Sequence, residues 1–451
     1  MSTGRDASAT ESTTPLLAVL VLGIMAGVLQ RTNGMYRSFA VVLVAIAWVL
    51  ALVALLGRVR VPRADVWLPR LVTLTLGTFV VLLLTNVPTD DILPEWRPGL
   101  VPFYAGVVVA LIGCGALALG PARFERLLFP ALVGLYFVLG AVVIHVAKKP
   151  SIDVWSIEME AVPALLRGEN PFAMTFVDPY AGTSPYFPEG TSVGGRLQFG
   201  FVYPPLALLL CVPGYVLGGD TRWSTLAAIA ISALFIGYAR EGRLPKLAAL
   251  LLLFMPRSFF VMDRAWTDPF VVMLTAAVSF FALRRPRWVF VPIGLYVCLK
   301  QHMFIGVPAL FLLLPRPIRW RDTAVLTAKA AGVAALVTLP LALWDFHAFA
   351  KSVLDIREMF RVDSLGLVAF LHNHGIVTLS KWAGLVAIVP VMLLGSLRAP
   401  RTPGGFALMA GVTHFSLYIW STHAFCNEYY NVFGALCCAV GAWGRYDGLE
   451  S

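Results

Sequence analysis

The chain is 451 residues long, 59% hydrophobic and only 13% charged, with a net charge of +10. Soluble domains carry about 25% charged residues, so a soluble globular protein is excluded. Basic patches interleaved with aromatics are absent, which argues for no nucleic acid partner. In a membrane protein a positive balance points to Lys- and Arg-rich cytoplasmic loops.

The polar, Ser- and Thr-rich start, Met1–Thr14, lacks a basic region feeding a short apolar core and a cleavage site. It predicts a disordered cytoplasmic tail (1–14) ahead of a retained span. Apolar runs follow at Leu16–Leu29, Phe39–Leu56, Leu71–Leu84, Tyr104–Leu119 and Leu127–Val146. Each approaches or reaches the roughly 17–25 residues that span hydrocarbon as a helix. Residues 15–126 form a four-span block ahead of the functional part. The six cysteines lie mostly in apolar runs with no Cys-x-x-Cys pair. They read as buried small hydrophobes, not as a zinc site or a disulfide framework.

The charges segregate. Basic clusters stand at Arg58–Arg70, Arg123–Arg126, Arg240–Lys246, Arg284–Arg287, Arg316–Arg321 and Arg398–Arg401. Acidic residues gather at Asp90–Glu95, between Asp153 and Glu189, at Asp263 and Asp268, and from Asp345 to Asp363. With the basic clusters placed inside, five spans bring the chain out at residue 147, and the polar loop 147–202 is extracytoplasmic. A sixth span at Leu206–Leu217 would put the next three basic clusters outside. That segment carries Pro204, Pro205, Pro213 and Gly214, and its uninterrupted apolar stretch suits an interfacial helix. Residues 203–218 are therefore expected to lie on the outer surface.

The next span is expected near Trp223–Tyr238. Further spans follow at 247–262, 268–283, 288–301, 303–315, 324–343, 376–397, 404–420 and 429–443. The fold class is thus an all-α polytopic membrane protein of about 13–14 transmembrane helices, with a second outer loop at 344–375 and C-terminal spans over 376–451. Arg31, Arg37, Lys148 and Lys149 fall on the outer side, against the charge rule.

On this topology the unusual polar residues converge on the outer face. Asp153 follows span five and is flanked by Ile152, Val154 and Trp155. A carboxylate against an apolar wall can take a proton from a hydroxyl. If helical, Asp153 and Glu160 share a face, and Gly168 with Asn170-Pro171 ends the helix. Lys300-Gln301-His302 stands between two apolar runs, where a central Lys costs about 2.5–3.5 kcal/mol to insert. It reads either as a snorkelling cation or as a grip on a lipid phosphate. Arg264 and Asp268 flank a short outer turn and either pair with each other or bind sugar and phosphate, with Trp266 stacking. His372 and His374 mark the re-entry of the second outer loop, where one of them can assist a leaving phosphate or bind an acceptor. They do not share a helix face and lack a third ligand, so zinc is not expected. His423, Asn427, Glu428 and Tyr429 form a further outer rim.

Three motifs carry a family resemblance: Asp153 just outside a span, Ala164-Leu165-Leu166-Arg167-Gly168-Glu169-Asn170-Pro171-Phe172, and Phe201-Val202-Tyr203-Pro204-Pro205-Leu206. Over residues 128–320 the chain resembles the glycosyltransferase superfamily C. It looks most like its polyprenyl-phosphate-mannose-dependent mannosyltransferases of actinobacterial envelopes. The resemblance implies a GT-C-like core (127–343), a Tyr203-Pro-Pro segment lying on the outer surface, and Asp153 as general base. It also implies a donor-side lysine, matched by Lys300 after Gly294, although the usual Lys-Pro is Lys-Gln here. The expected partners are a polyprenyl-phosphate sugar donor, a glycolipid or glycan acceptor and the bilayer. No cofactor is expected, since no nucleotide-sugar motif is present and a lone Asp153 argues against an obligatory metal. The residues alone leave open a lipid or glycolipid transporter, which predicts paired half-repeats, and a non-catalytic scaffold.

Overall fold

A computed structural model describes residues 3–183, 187, 190–314, 317–354, 363–380 and 382–445, the side chains of 3–12 and 354 excepted. The expected features at Arg316, Asp355, Glu358 and Glu189 lie outside the described residues. The chain is a helical bundle. In order come α1 (Thr3–Thr32), α2 (Ser38–Leu56), α3 (Ala64–Thr85), α4 (Val101–Leu119), α5 (Glu125–Val146), α6 (Asp153–Leu166), α7 (Pro205–Gly218), α8 (Arg222–Ala239) and α9 (Arg243–Leu253). Then come α10 (Ser258–Asp263), α11 (Asp268–Arg284), α12 (Phe290–Val297), α13 (Trp320–Ala342), α14 (Phe346–Phe349), α15 (Leu367–Asn373), α16 (Ala383–Arg398), α17 (Pro403–Ile419) and α18 (Cys426–Ala442).

Among the described residues, seven helical segments are long and apolar enough to cross a membrane: Thr13–Thr32, Ser38–Leu56, Ala64–Thr85, Pro94–Leu119, Ala122–Val146, Arg222–Ala239 and Trp320–Ala342. This makes the chain a multi-pass helical membrane protein. These segments are seven of the expected 13–14 transmembrane helices, and the other expected spans are shorter or broken among the described residues. The expected span 247–262 is split into α9 and α10, because Pro256 cannot continue the hydrogen-bond ladder. Lys300 is extended (φ −137°, ψ 154°) and separates the eight-residue α12 from a 3-10 helix at Gln301–Leu313. The helices α11, α17 and α18 have 17 residues each and α16 has 16, at the short edge of what spans hydrocarbon.

Helix α1 begins at Thr3. Buried Thr14 donates to the Ala54 carbonyl near the end of α2, and buried Thr13 accepts from Val61 N–H in the link to α3.

Contacts group the loops into two ends. At one end Asp91 reaches Arg264, Thr89 reaches Asp263, and Met35 forms a bridge to Ser364. At the other, Arg243 and Lys246 both pair with Glu125, and Arg240 donates to the carbonyls of Ala442 and Arg445. The acidic residues Asp91 and Asp263 thus lie at the first end, and the basic cluster Arg240–Lys246 at the second. Helix α7 has both termini at the first end. Tyr203 just before it lies under Lys300, and Asp220 just after it holds Trp155 Nε1 at 3.3 Å.

The loop between α6 and α7 carries a small sheet of strands β1 (Phe176–Val177), β2 (Ser192–Val193) and β3 (Arg196–Leu197), in the order β1-β3-β2. All pairs are antiparallel, with Phe176 and Ser192 both opposite Leu197. The β2–β3 turn is Gly194-Gly195 with φ of +58° and +75°, the two left-handed positions that a tight hairpin needs.

Candidate functional site

Asp153 is the first residue of α6, and Ile152 before it is extended. The helix ends at Leu166, where Gly168 takes φ +80° and Glu169 N–H bonds back to the Ala164 carbonyl at 2.9 Å. This is the left-handed glycine cap that the sequence predicts there. Val154 packs inward, and the half-buried Asp153 carboxylate accepts from Val154 N–H at 2.9 Å and from the Tyr180 hydroxyl at 3.3 Å. Tyr180 also accepts from Asp153 N–H at 3.3 Å. Burial raises the Asp153 carboxyl above its ordinary value, and the two hydrogen bonds and nearby His423 offset this only in part. A carboxylate so raised is a better proton acceptor near neutrality than a solvated one.

Lys300 is the cation of the site. Its Nζ lies 2.9 Å from Asp268 Oδ2 and 5.5 Å from the centre of the Tyr203 ring. Asn431 donates to Asp268 Oδ1 at 2.5 Å, and Asn427 to Oδ2 at 3.2 Å. Tyr418 joins the cluster, receiving a bond from Asn431 at 3.3 Å and facing His302 Nε2 at 3.0 Å. Tyr203 sits beside Lys300 and feels the field of Asp153. Burial keeps its phenol protonated, reinforced by the fields of Asp268, Asp153, Glu158 and Glu428. The rim residues sit here too: Asn427 donates to Glu428 Oε1 at 2.9 Å, and His423 lies 3.9 Å from the same oxygen.

Of the residues singled out in the sequence, Asp153, Lys300, His302, Asp268 and Tyr203 come together in this way. Others have different tasks. Arg264 does not pair with Asp268, which corrects one reading of that turn. It pairs with Asp91 at 3.2 Å and donates to the Ser151 carbonyl at 3.2 Å, while Asp268 points to Lys300. Gln301 donates to the carbonyls of Val202 and Val353 and so staples the two loops. Glu160 holds Val177 N–H at 2.8 Å and Arg196 at 3.1 Å, which fastens the small sheet onto α6. Half-buried His372 meets Thr378, and exposed His374 meets Phe370 and Tyr36.

The sequence reading missed Tyr180, Tyr418, Asn431 and Arg222. Asn431 had a legible signal: it stands four residues after Asn427, on the same helical face, inside an apolar run. Arg222 is 1% exposed and joins Asp220 at 2.7 Å, Asp263 at 2.6 Å and the Ala147 carbonyl at 2.6 Å. It thereby ties the start of α8 to the end of α5 and to α10. Among the described residues no group of three metal-ligating side chains forms. Comparison with protein-family models, curated proteins and solved structures finds no match to this chain.

Proposed function

We propose that the chain is an inverting glycosyltransferase of the cell membrane that uses a polyprenyl-phosphate-linked sugar on the extracytoplasmic face. The observation that carries this reading is the placement, at one end of the bundle, of a half-buried carboxylate (Asp153) and a buried ammonium (Lys300), with Tyr203 beside the ammonium and in the field of the carboxylate. Asp153 takes the proton of an acceptor hydroxyl. The freed oxygen attacks the anomeric carbon, and the bond from that carbon to the phosphate oxygen breaks. The phosphate departs with the bonding electrons, and Lys300 stabilises it. Such charge stabilisation is often the largest catalytic contribution. Asp268, itself held by Asn427 and Asn431, keeps Lys300 in place until the phosphate arrives.

In this reading the shorter segments cross as well, about fourteen times in all, and α7 lies along the outer surface. The segregation of acidic and basic loops to opposite ends supports it, by the rule that basic loops stay inside. A membrane-delivered donor also suits a site set among apolar helices. Mannose is the first sugar to test, with a glycolipid or glycan acceptor.

The test supplies the purified chain with radiolabelled polyprenyl-phosphate-mannose and an envelope lipid extract, beside Asp153→Asn and Lys300→Ala at matched expression. Transfer by wild type with loss in Asp153→Asn supports both the class and the base. Transfer that survives Asp153→Asn removes that residue from the mechanism. Absence of transfer with every lipid-linked sugar tried favours a transporter.

A further inference from the structure

An apolar groove runs between α2 and α15, walled by Val42, Ile46 and Val49 on one side and Leu367 and Phe370 on the other. Val42, Ile46 and Val49 are each about half exposed. From Val41 to Leu50 the groove follows α2 for about 14 Å at 1.5 Å per residue. That is close to half the roughly 30 Å hydrocarbon core, the depth of one leaflet.

The mouth of the groove is polar. Arg37 precedes α2 by one residue, a turn before Val41, and Arg31 stands in the last turn of neighbouring α1. Both are exposed, and among the described residues neither pairs with a carboxylate. The Tyr36 hydroxyl lies 3.1 Å from Ser38 Oγ and 3.5 Å from His374 Nδ1. Both arginines stand at the end where the acidic loops gather, where the charge rule gives them no purpose. A phosphate does give them one.

We propose that this groove holds an acyl chain of an anionic phospholipid whose phosphate rests on Arg37 and Arg31. The charge complementarity of two unpaired guanidiniums selects the headgroup, and an apolar channel one leaflet deep selects the chain. Each arginine near a membrane surface favours an anionic lipid by about fivefold. The lipid needs no part in sugar transfer, so the inference stands apart from the reaction proposed above.

The full chain is reconstituted in vesicles of phosphatidylcholine containing a trace of a photoreactive-acyl lipid, either phosphatidylglycerol or phosphatidylcholine. Labelled peptides are then mapped after illumination. The expected result is labelling of residues 41–50 and 367–370, stronger by at least about fivefold with the phosphatidylglycerol probe. Arg31→Ala with Arg37→Ala should remove that preference while leaving thermal unfolding unchanged. Ile46→Trp, which fills the groove, should lower labelling by both probes. Equal labelling by both lipids in wild type, a preference that survives loss of both arginines, or no labelling of these segments would each overturn the proposal.

Discussion

Lys300 Nζ and Asp268 Oδ2 stand 2.9 Å apart in a pair whose side chains are 5% and 1% exposed. Removing one partner of a buried pair leaves an uncompensated charge and costs about 3–5 kcal/mol. Asp268→Asn is therefore expected to lower unfolding stability by that order, as measured by thermal unfolding in detergent. Lys300→Met with Asp268→Asn removes both charges and should recover most of the loss. Transfer should stay absent in the double variant, since the leaving phosphate has lost its cation. Full activity in the double variant would detach the pair from catalysis.

Asp153 and Tyr180 make a prediction about pH. The Tyr180 hydroxyl donates to the carboxylate and so favours its ionised form. A base must be deprotonated to work, so activity should rise with pH through the Asp153 titration. Tyr180→Phe removes the donor and raises the carboxyl further. The acid limb of the pH–rate profile should then move to higher pH, with little loss on the plateau. A limb that stays in place, or moves to lower pH, counts against Asp153 as the titrating base.

Glu158 sets up a different pH effect. It is fully buried on α6, close to Cys211 of α7 and to Thr221. Burial pushes it from 4.5 to about 8, offset in part by Thr221 and Cys211 and reinforced by Asp220. The folded chain thus keeps this proton up to about pH 8, while the unfolded chain releases it near 4.5. Between those values stability falls as pH rises, by on the order of 5 kcal/mol at the upper limit. Glu158→Gln cannot ionise and should flatten that slope. Unfolding midpoints taken from pH 5 to pH 8.5 decide this, and parallel slopes in the two proteins would refute it.

The parts that could be read ahead of the structure depend on local rules. Long apolar runs, the glycine cap after α6 and the short, proline-led α7 each follow from residues a few positions apart. Pairing across the bundle does not. Arg264 and Asp268 are sequence neighbours, yet each finds its partner elsewhere, in Asp91 and Lys300. Glu160 looks like a companion to Asp153 by helical spacing, but Arg196, thirty-six positions on, engages it. Apolar composition alone also hides a break inside one run, because Pro256 divides residues 247–262 into two helices.

The last prediction concerns Arg222, whose guanidinium holds two carboxylates and the Ala147 carbonyl in the interior and lies 5.8 Å over the Trp155 ring. Trp155 is two residues from Asp153, so this arginine braces the start of α6 as well as the end of α5. Arg222→Leu strands Asp220 and Asp263 together and should cost about 3–5 kcal/mol. The exposed Arg167–Glu169 pair in the same loop has its side chains in solvent, where Coulomb attraction is screened. Arg167→Ala should leave the unfolding midpoint unchanged. Measured side by side in one detergent, the two variants separate burial from mere ion-pair formation. Equal effects would mean that the Arg222 network adds no more than a surface contact does.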